Sequence, residues 1–100
     1  MRTNPSELKT AILERLGQVI DPETGADVVR MQLIDHLDVK DDGRISYTFR
    51  PSSPLCPIAV YLVKEIKKAI AGVPGVTHQE ITVTGYVAAD ELTELINRAL

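Results

Sequence analysis

Leu8, Ile12, Leu16 and Val19 recur every three or four residues, which is the spacing of a single apolar helix face. The start of that helix is marked. Asn4 suits the cap, Pro5 the first helical position, and Glu7 stands three residues after the cap. The helix is expected to end near Val19, because Asp21 precedes Pro22 and is pushed out of helical geometry. Asp21 to Arg30 reads as a loop. From Met31 to Lys40 the pattern turns strand-like, with Leu33, Leu37 and Val39 on one face and Asp35 as the odd member of that face. Asp41-Asp42-Gly43 is a turn signal. Ile45, Tyr47 and Phe49 then alternate with Arg44, Ser46, Thr48 and Arg50, the cleanest strand in the chain.

Helical spacing returns at Ile58, Leu62, Ile66, Ala69 and Ile70, with Lys64, Lys67 and Lys68 on the outside. This predicts a second helix from about Pro57 to Ala71. Gly72 and Pro74 stop it. Val76 to Thr84 reads as a third strand with Ile81 and Val83 inward. A last helix begins at or near Asp90 and runs through Leu92, Leu95, Ile96 and Ala99. The predicted order is α-β-β-α-β-α: an α+β fold, one two-layer domain over residues 1–100, with a small three-stranded mixed sheet covered by helices. The first two strands form an antiparallel hairpin. The helical connection into the third is long enough for a right-handed crossover.

Composition narrows the function classes. One hundred residues with 44% hydrophobic and 25% charged residues suit one globular domain and argue against disorder. With no Trp, three Tyr and one Phe, the core must be aliphatic. A net charge of −3 with scattered basic residues offers no stripe for phosphate backbones. No run of apolar residues is long enough to span a membrane, and the N-terminus lacks the apolar stretch of a signal peptide. A lone cysteine forms no disulfide within the chain. The expectation is a cytoplasmic protein with a reduced thiol and with no nucleic-acid or membrane partner.

That thiol is the strongest chemical feature. Cys56 lies in Pro51-Ser52-Ser53-Pro54-Leu55-Cys56-Pro57, a proline-stiffened approach to the second helix. Pro57 suits a first helical position, so Cys56 is expected at the N-cap or beside it. There the unpaired N–H groups and the helix dipole favour negative charge, and a thiol should have a lowered pKa. The thiolate is the form that binds metal or attacks an electrophile. Ser52 and Ser53 could donate hydrogen bonds to a ligand or a sulfur. The plainer alternative is a buried cysteine filling apolar space. A second segment, Asp21-Pro22-Glu23-Thr24-Gly25-Ala26-Asp27, gathers three carboxylates that could act as hard oxygen ligands or as acceptors. Read more plainly, it is a helix stop and a tight turn. His36 and His78 have no partner at metal-ligand spacing and read as solvated surface residues.

Taken together, the two segments resemble a known family. Asp21-Pro22-Glu23-Thr24-Gly25-Ala26-Asp27-Val28-Val29 is similar to the Asp-Pro-Glu-x-Gly motif of PaaD-like and SufT-like iron–sulfur cluster assembly domains. Ser52-Ser53-Pro54-Leu55-Cys56-Pro57 is similar to that family's Thr-Thr-x-x-Cys-Pro segment, and Gly75-Val76 also fits. The resemblance covers about Leu8 to Thr84. The chain departs from the family pattern at Arg30, Gln32, Asp35 and Leu55, where the family usually has an acid, a glycine, an aromatic and a glycine.

The resemblance implies a non-catalytic factor that assembles iron–sulfur clusters or delivers them to apo-proteins. Its partners would be apo iron–sulfur proteins or other assembly factors. Cluster iron takes several thiolates, usually four per cluster, and one Cys56 per chain cannot supply them. A transient cluster would therefore be shared with a partner, a second copy in a homodimer, or a small thiol, and no stable intrinsic cofactor is expected. Cys56 is the expected metal ligand, with Asp21, Glu23, Ser52 and Ser53 as auxiliary binding groups. Three rivals come from other classes. A thiol enzyme needs a base near Cys56, and none is suggested. A KH-type RNA module shares the α-β-β-α-β order but clamps its ligand with a Gly-x-x-Gly loop, which is not expected here. The third is an interaction module that keeps the family fold without metal binding.

Overall fold

The computed structural model describes residues 5–55 and 58–98. The elements come in the predicted order: α1 (Pro5–Leu16), β1 (Ile34–Val39), β2 (Arg44–Phe49), α2 (Ala59–Ala71), β3 (His78–Val83) and α3 (Ala89–Arg98). The strands form one mixed sheet in the order β1-β2-β3. β1 and β2 are antiparallel, and β2 and β3 run parallel in unbroken register from Arg44↔His78 to Phe49↔Val83. The helical connection through α2 makes that parallel pairing possible.

The alternation read from β2 holds. Ile45, Tyr47 and Phe49 are buried, as are Ile81 and Val83 of β3. They meet Leu8, Ile12 and Leu16 of α1 and Ala59, Leu62, Val63, Ile66 and Ile70 of α2 in one core. The opposite sheet face carries Asp35, Asp38, Arg44, Glu80 and Thr82, all exposed.

Three local expectations are corrected. α1 ends at Leu16 rather than near Val19. Gly17 breaks the run, and Val19 turns into a loop where its carbonyl accepts the Val28 N–H at 3.0 Å. β1 begins at Ile34, and its inward members are Ile34, Leu37 and Val39 rather than Leu33, Leu37 and Val39. The cause is a bulge. Asp35 pairs with Thr48 and Asp38 with Ser46, so His36 and Leu37 together oppose Tyr47. His36 adopts φ +52 as the extra residue. Asp35 therefore points to the solvent face, and its apparent conflict with the apolar pattern disappears.

The third correction concerns Gly72-Val73-Pro74-Gly75, which does have the Gly-x-x-Gly spacing. It closes α2 and leads into β3, and it is packed against the β1–β2 turn. The Thr77 N–H donates to the Gly43 carbonyl at 2.9 Å, and the Thr77 hydroxyl to the Asp42 carbonyl at 3.1 Å. The exit of this segment is thus tied to the β1–β2 turn, while Gly72, Pro74 and Gly75 are exposed.

Candidate functional site

The acidic loop is built around Asp21. Its backbone N–H donates to the Ala26 carbonyl at 2.9 Å, and its carbonyl accepts the Gly25 N–H at 2.8 Å. Gly25 permits this closure with φ +74. The Asp21 side chain is 2% exposed, and its Oδ1 accepts the Glu23 N–H at 2.8 Å. Asp21 is thus the hydrogen-bonding centre of its own loop. Glu23 is exposed. Asp27 turns its Oδ1 onto the N–H groups of Val29 and Arg30, at 3.1 and 2.9 Å, and caps the next turn. The three carboxylates are therefore not gathered in one place. Among the described residues, no group of three or more His, Cys, Asp and Glu side chains could hold a metal ion.

The turn after Asp27 leads to Gln32, which has φ +58. This left-handed backbone explains why a glycine suits the position. Leu33 comes next, buried, with its carbonyl accepting the Arg50 N–H at 2.8 Å. That bond ties the acidic segment's exit to the start of the Pro51–Leu55 loop. Between them lies a depression of about 460 Å³ lined by Val29, Met31, Gln32, Asp35, Arg50 and Ser52, among others. Ser52 is thus brought to the end of the first motif, although Asp21 and Glu23 do not line the depression. Arg50 and Gln32 were missed as candidates. Arg50 reads as the polar end of a strand, and only a left-handed backbone sets Gln32 apart.

Ser53 is exposed, and its hydroxyl accepts the Leu55 N–H at 3.3 Å, a local turn of the kind serine stabilises. Leu55 is 73% exposed. On the other side of this loop the Val87 N–H donates to the Pro54 carbonyl at 2.8 Å, bringing the segment before α3 alongside it. Val87 is 71% exposed, so two apolar side chains stand in water beside the cysteine segment. This apolar collar was not expected, because each residue alone reads as an ordinary loop position.

Cys56, expected to be the metal ligand, and Pro57 lie outside the described residues. Immediately after them, Ile58 is the N-cap of α2, with φ −109 and ψ 13, where the sequence placed the cap at or beside Cys56. It supplies no side-chain cap hydrogen bond, and the first turn of α2 has no acidic residue. The positive end of α2 therefore receives no charge or cap from its own side chains. His36 pairs with its neighbour Asp35, at 3.6 Å, and His78 is exposed. No helix among the described residues is long and apolar enough to cross a membrane.

Residues 9–83 match the model of a family described as iron–sulfur cluster assembly protein. The Fe–S protein maturation auxiliary factor YitW of Bacillus subtilis is 40% identical over 74 residues, which is 74% of this chain and 72% of that protein. An iron–sulfur cluster carrier protein of Mycobacterium leprae is 28% identical over 97% of this chain, which spans only 25% of that longer protein. A domain of unknown function from Bacillus anthracis, known by crystal structure, superposes with a TM-score of 0.73 at 28% identity, covering 80% of this chain and 76% of that one.

Proposed function

This chain belongs to the iron–sulfur cluster assembly protein family, and we propose from that premise that it is a non-catalytic factor for assembling or delivering clusters. Cys56 acts as a thiolate that binds iron or a cluster transiently and shares it with a partner or a second copy. The observation that carries this reading is the N-terminus of α2. Its cap residue, Ile58, offers no side-chain acceptor, and its first turn has no acid. Cys56 precedes that cap by two residues in the sequence, and a thiolate that reaches this end would find a favourable dipole without an internal competitor. One thiolate leaves cluster iron under-coordinated, which suits passing it on rather than keeping it. Partners would be apo iron–sulfur proteins or other assembly factors, met through the exposed Leu55 and Val87 at the Pro51–Leu55 loop. Asp21 serves the fold of its loop, while Glu23, Ser52 and Ser53 remain exposed for contact with partner or cargo. The protein works in the cytoplasm, where thiols stay reduced.

The test is anaerobic reconstitution with iron and sulfide, and then transfer to an apo acceptor, for wild type and Cys56→Ser. Wild type should gain a cluster absorbance that the acceptor then takes up, and the variant should show neither. Equal iron uptake by both would sink the role of the thiolate. A variant that keeps its partners and its activity would point to an interaction module without metal binding.

A further inference from the structure

β3 pairs with β2 along one edge, and its other edge is covered by α3 in an unusual way. Asn97 Oδ1 accepts the Ile81 N–H at 2.8 Å, and Asn97 Nδ2 donates to the Ile81 carbonyl at 2.7 Å. Thr93 Oγ1 accepts the Val83 N–H at 2.8 Å. Thr93 and Asn97 stand one turn apart on α3, and Ile81 and Val83 stand one pleat apart on β3. One helix face thus reads one strand edge. The Asn97 amide gives Ile81 the same two bonds that a residue of an antiparallel neighbour exchanges in a hydrogen-bonded pair.

We infer that α3 is a releasable cap on the β3 edge, and that the occupant it holds off is β3 of a second copy, paired antiparallel about Ile81. A two-fold axis at Ile81 sets Ile81 opposite its own mate, replacing both bonds now made by Asn97. Glu80 then faces Thr82, and Gln79 faces Val83, so no like charges meet. The far edge of the sheet is unsuited to this, because the bulge in β1 breaks its register and Asp35 and Asp38 flank the break. β3 has no such break.

α3 is suited to release. It has 10 residues and buries only Leu92 and Ile96, and a helix of that length is not stable alone. Among the described residues it is also held by Ala89, partly buried against the core, by the Asn97 and Thr93 bonds, and by a hydrogen bond from Lys67 Nζ to the Ile96 carbonyl. In the paired assembly the two Pro51–Leu55 loops lie at opposite ends of one continuous sheet, because antiparallel copies point the ends of β2 apart. The pairing involves only β3 and α3, so this inference stands or falls apart from the thiol chemistry.

Hydrogen exchange on wild type gives the first test. The amides of Ile81 and Val83 should exchange about tenfold or more faster than those of the central strand β2, through a partial opening that frees α3. Exchange only at the rate of global unfolding would overturn the inference. The second test is sedimentation of the Thr93→Ala/Asn97→Ala variant from micromolar to millimolar concentration, with Asn97→Asp in reserve should the double variant not fold. Wild type should be monomeric and the variant dimeric. Adding Thr82→Glu should set a carboxylate opposite each Glu80 and weaken the dimer about tenfold, while Thr82→Lys should tighten it by a similar factor. A variant that stays monomeric, or a dimer indifferent to the charge at residue 82, would refute pairing through β3.

Discussion

Two backbone positions show how far single residues determine this fold. A Cβ built on Gly43 would stand 2.0 Å from the Gly75 carbonyl oxygen, and Gly43 has φ +91. The steric clash and the left-handed backbone act together, so Gly43→Ala should cost about 3 kcal/mol or more, read as a lower urea midpoint. The neighbour in that clash is backbone and cannot rotate away. Gln32 is the opposite case. Its φ of +58 is strained for a residue with a Cβ, and its side chain is exposed. Gln32→Gly should therefore raise stability by about 0.5–1 kcal/mol, and a variant less stable than wild type would show that the side chain does more than line the depression. Neither constraint shows in composition or periodicity, because the one at Gly43 arises where distant backbone segments meet and the one at Gln32 where a local turn closes. The turn at Gly43 was legible, but the contact with Gly75 that makes it irreplaceable was not.

At the scale of elements, periodicity placed all six in order and put Ile81 and Val83 of β3 inward, because those apolar rows are regular. It failed where regularity breaks. The bulge at His36 shifts the face of β1 by one residue, and no period-two reading anticipates an inserted residue. The start of α2 shows the same limit at the candidate site. Proline made the helix start legible, while the cap position fell on Ile58 rather than at or beside Cys56. This end of α2 also yields a prediction about the thiol. Val60 lies in the first turn and is 37% exposed, so it tolerates charge at little cost to the core. Val60→Asp supplies the acid that this turn lacks and should raise the Cys56 thiol pKa by a few tenths of a unit, while Val60→Lys should lower it by a similar amount. Alkylation rate against pH measures both. Identical profiles would mean that the α2 terminus does not act on Cys56.

Across the layers of the molecule a partly buried polar chain joins β2, β3, α2 and α3. Tyr47 of β2 donates from its hydroxyl to Gln79 Oε1 of β3 at 2.9 Å. The Gln79 amide donates to the Lys67 carbonyl of α2 at 3.0 Å, and Lys67 Nζ reaches the Ile96 carbonyl of α3. The sequence showed Tyr47 as a core position, but nothing in it linked a strand tyrosine to Gln79, 32 residues away. Burial pushes the Tyr47 phenol well above its ordinary value of about 10. The folded state therefore keeps this proton where the unfolded chain releases it. The stability contributed is fully present below the unfolded value and falls as pH rises beyond it, by as much as about 1.4 kcal/mol per pH unit for one group. Urea unfolding at a series of pH values from neutral to strongly alkaline, for wild type and Tyr47→Phe, isolates the effect, since every other titrating group is common to both. Near neutral pH the variant should be about 1 kcal/mol less stable, because Gln79 Oε1 loses its donor. Above pH about 10 that gap should narrow and then reverse, because phenylalanine has no proton to lose. Parallel curves across the alkaline range would mean that the phenol reaches water before the chain unfolds, and that the core around Tyr47 opens without the rest.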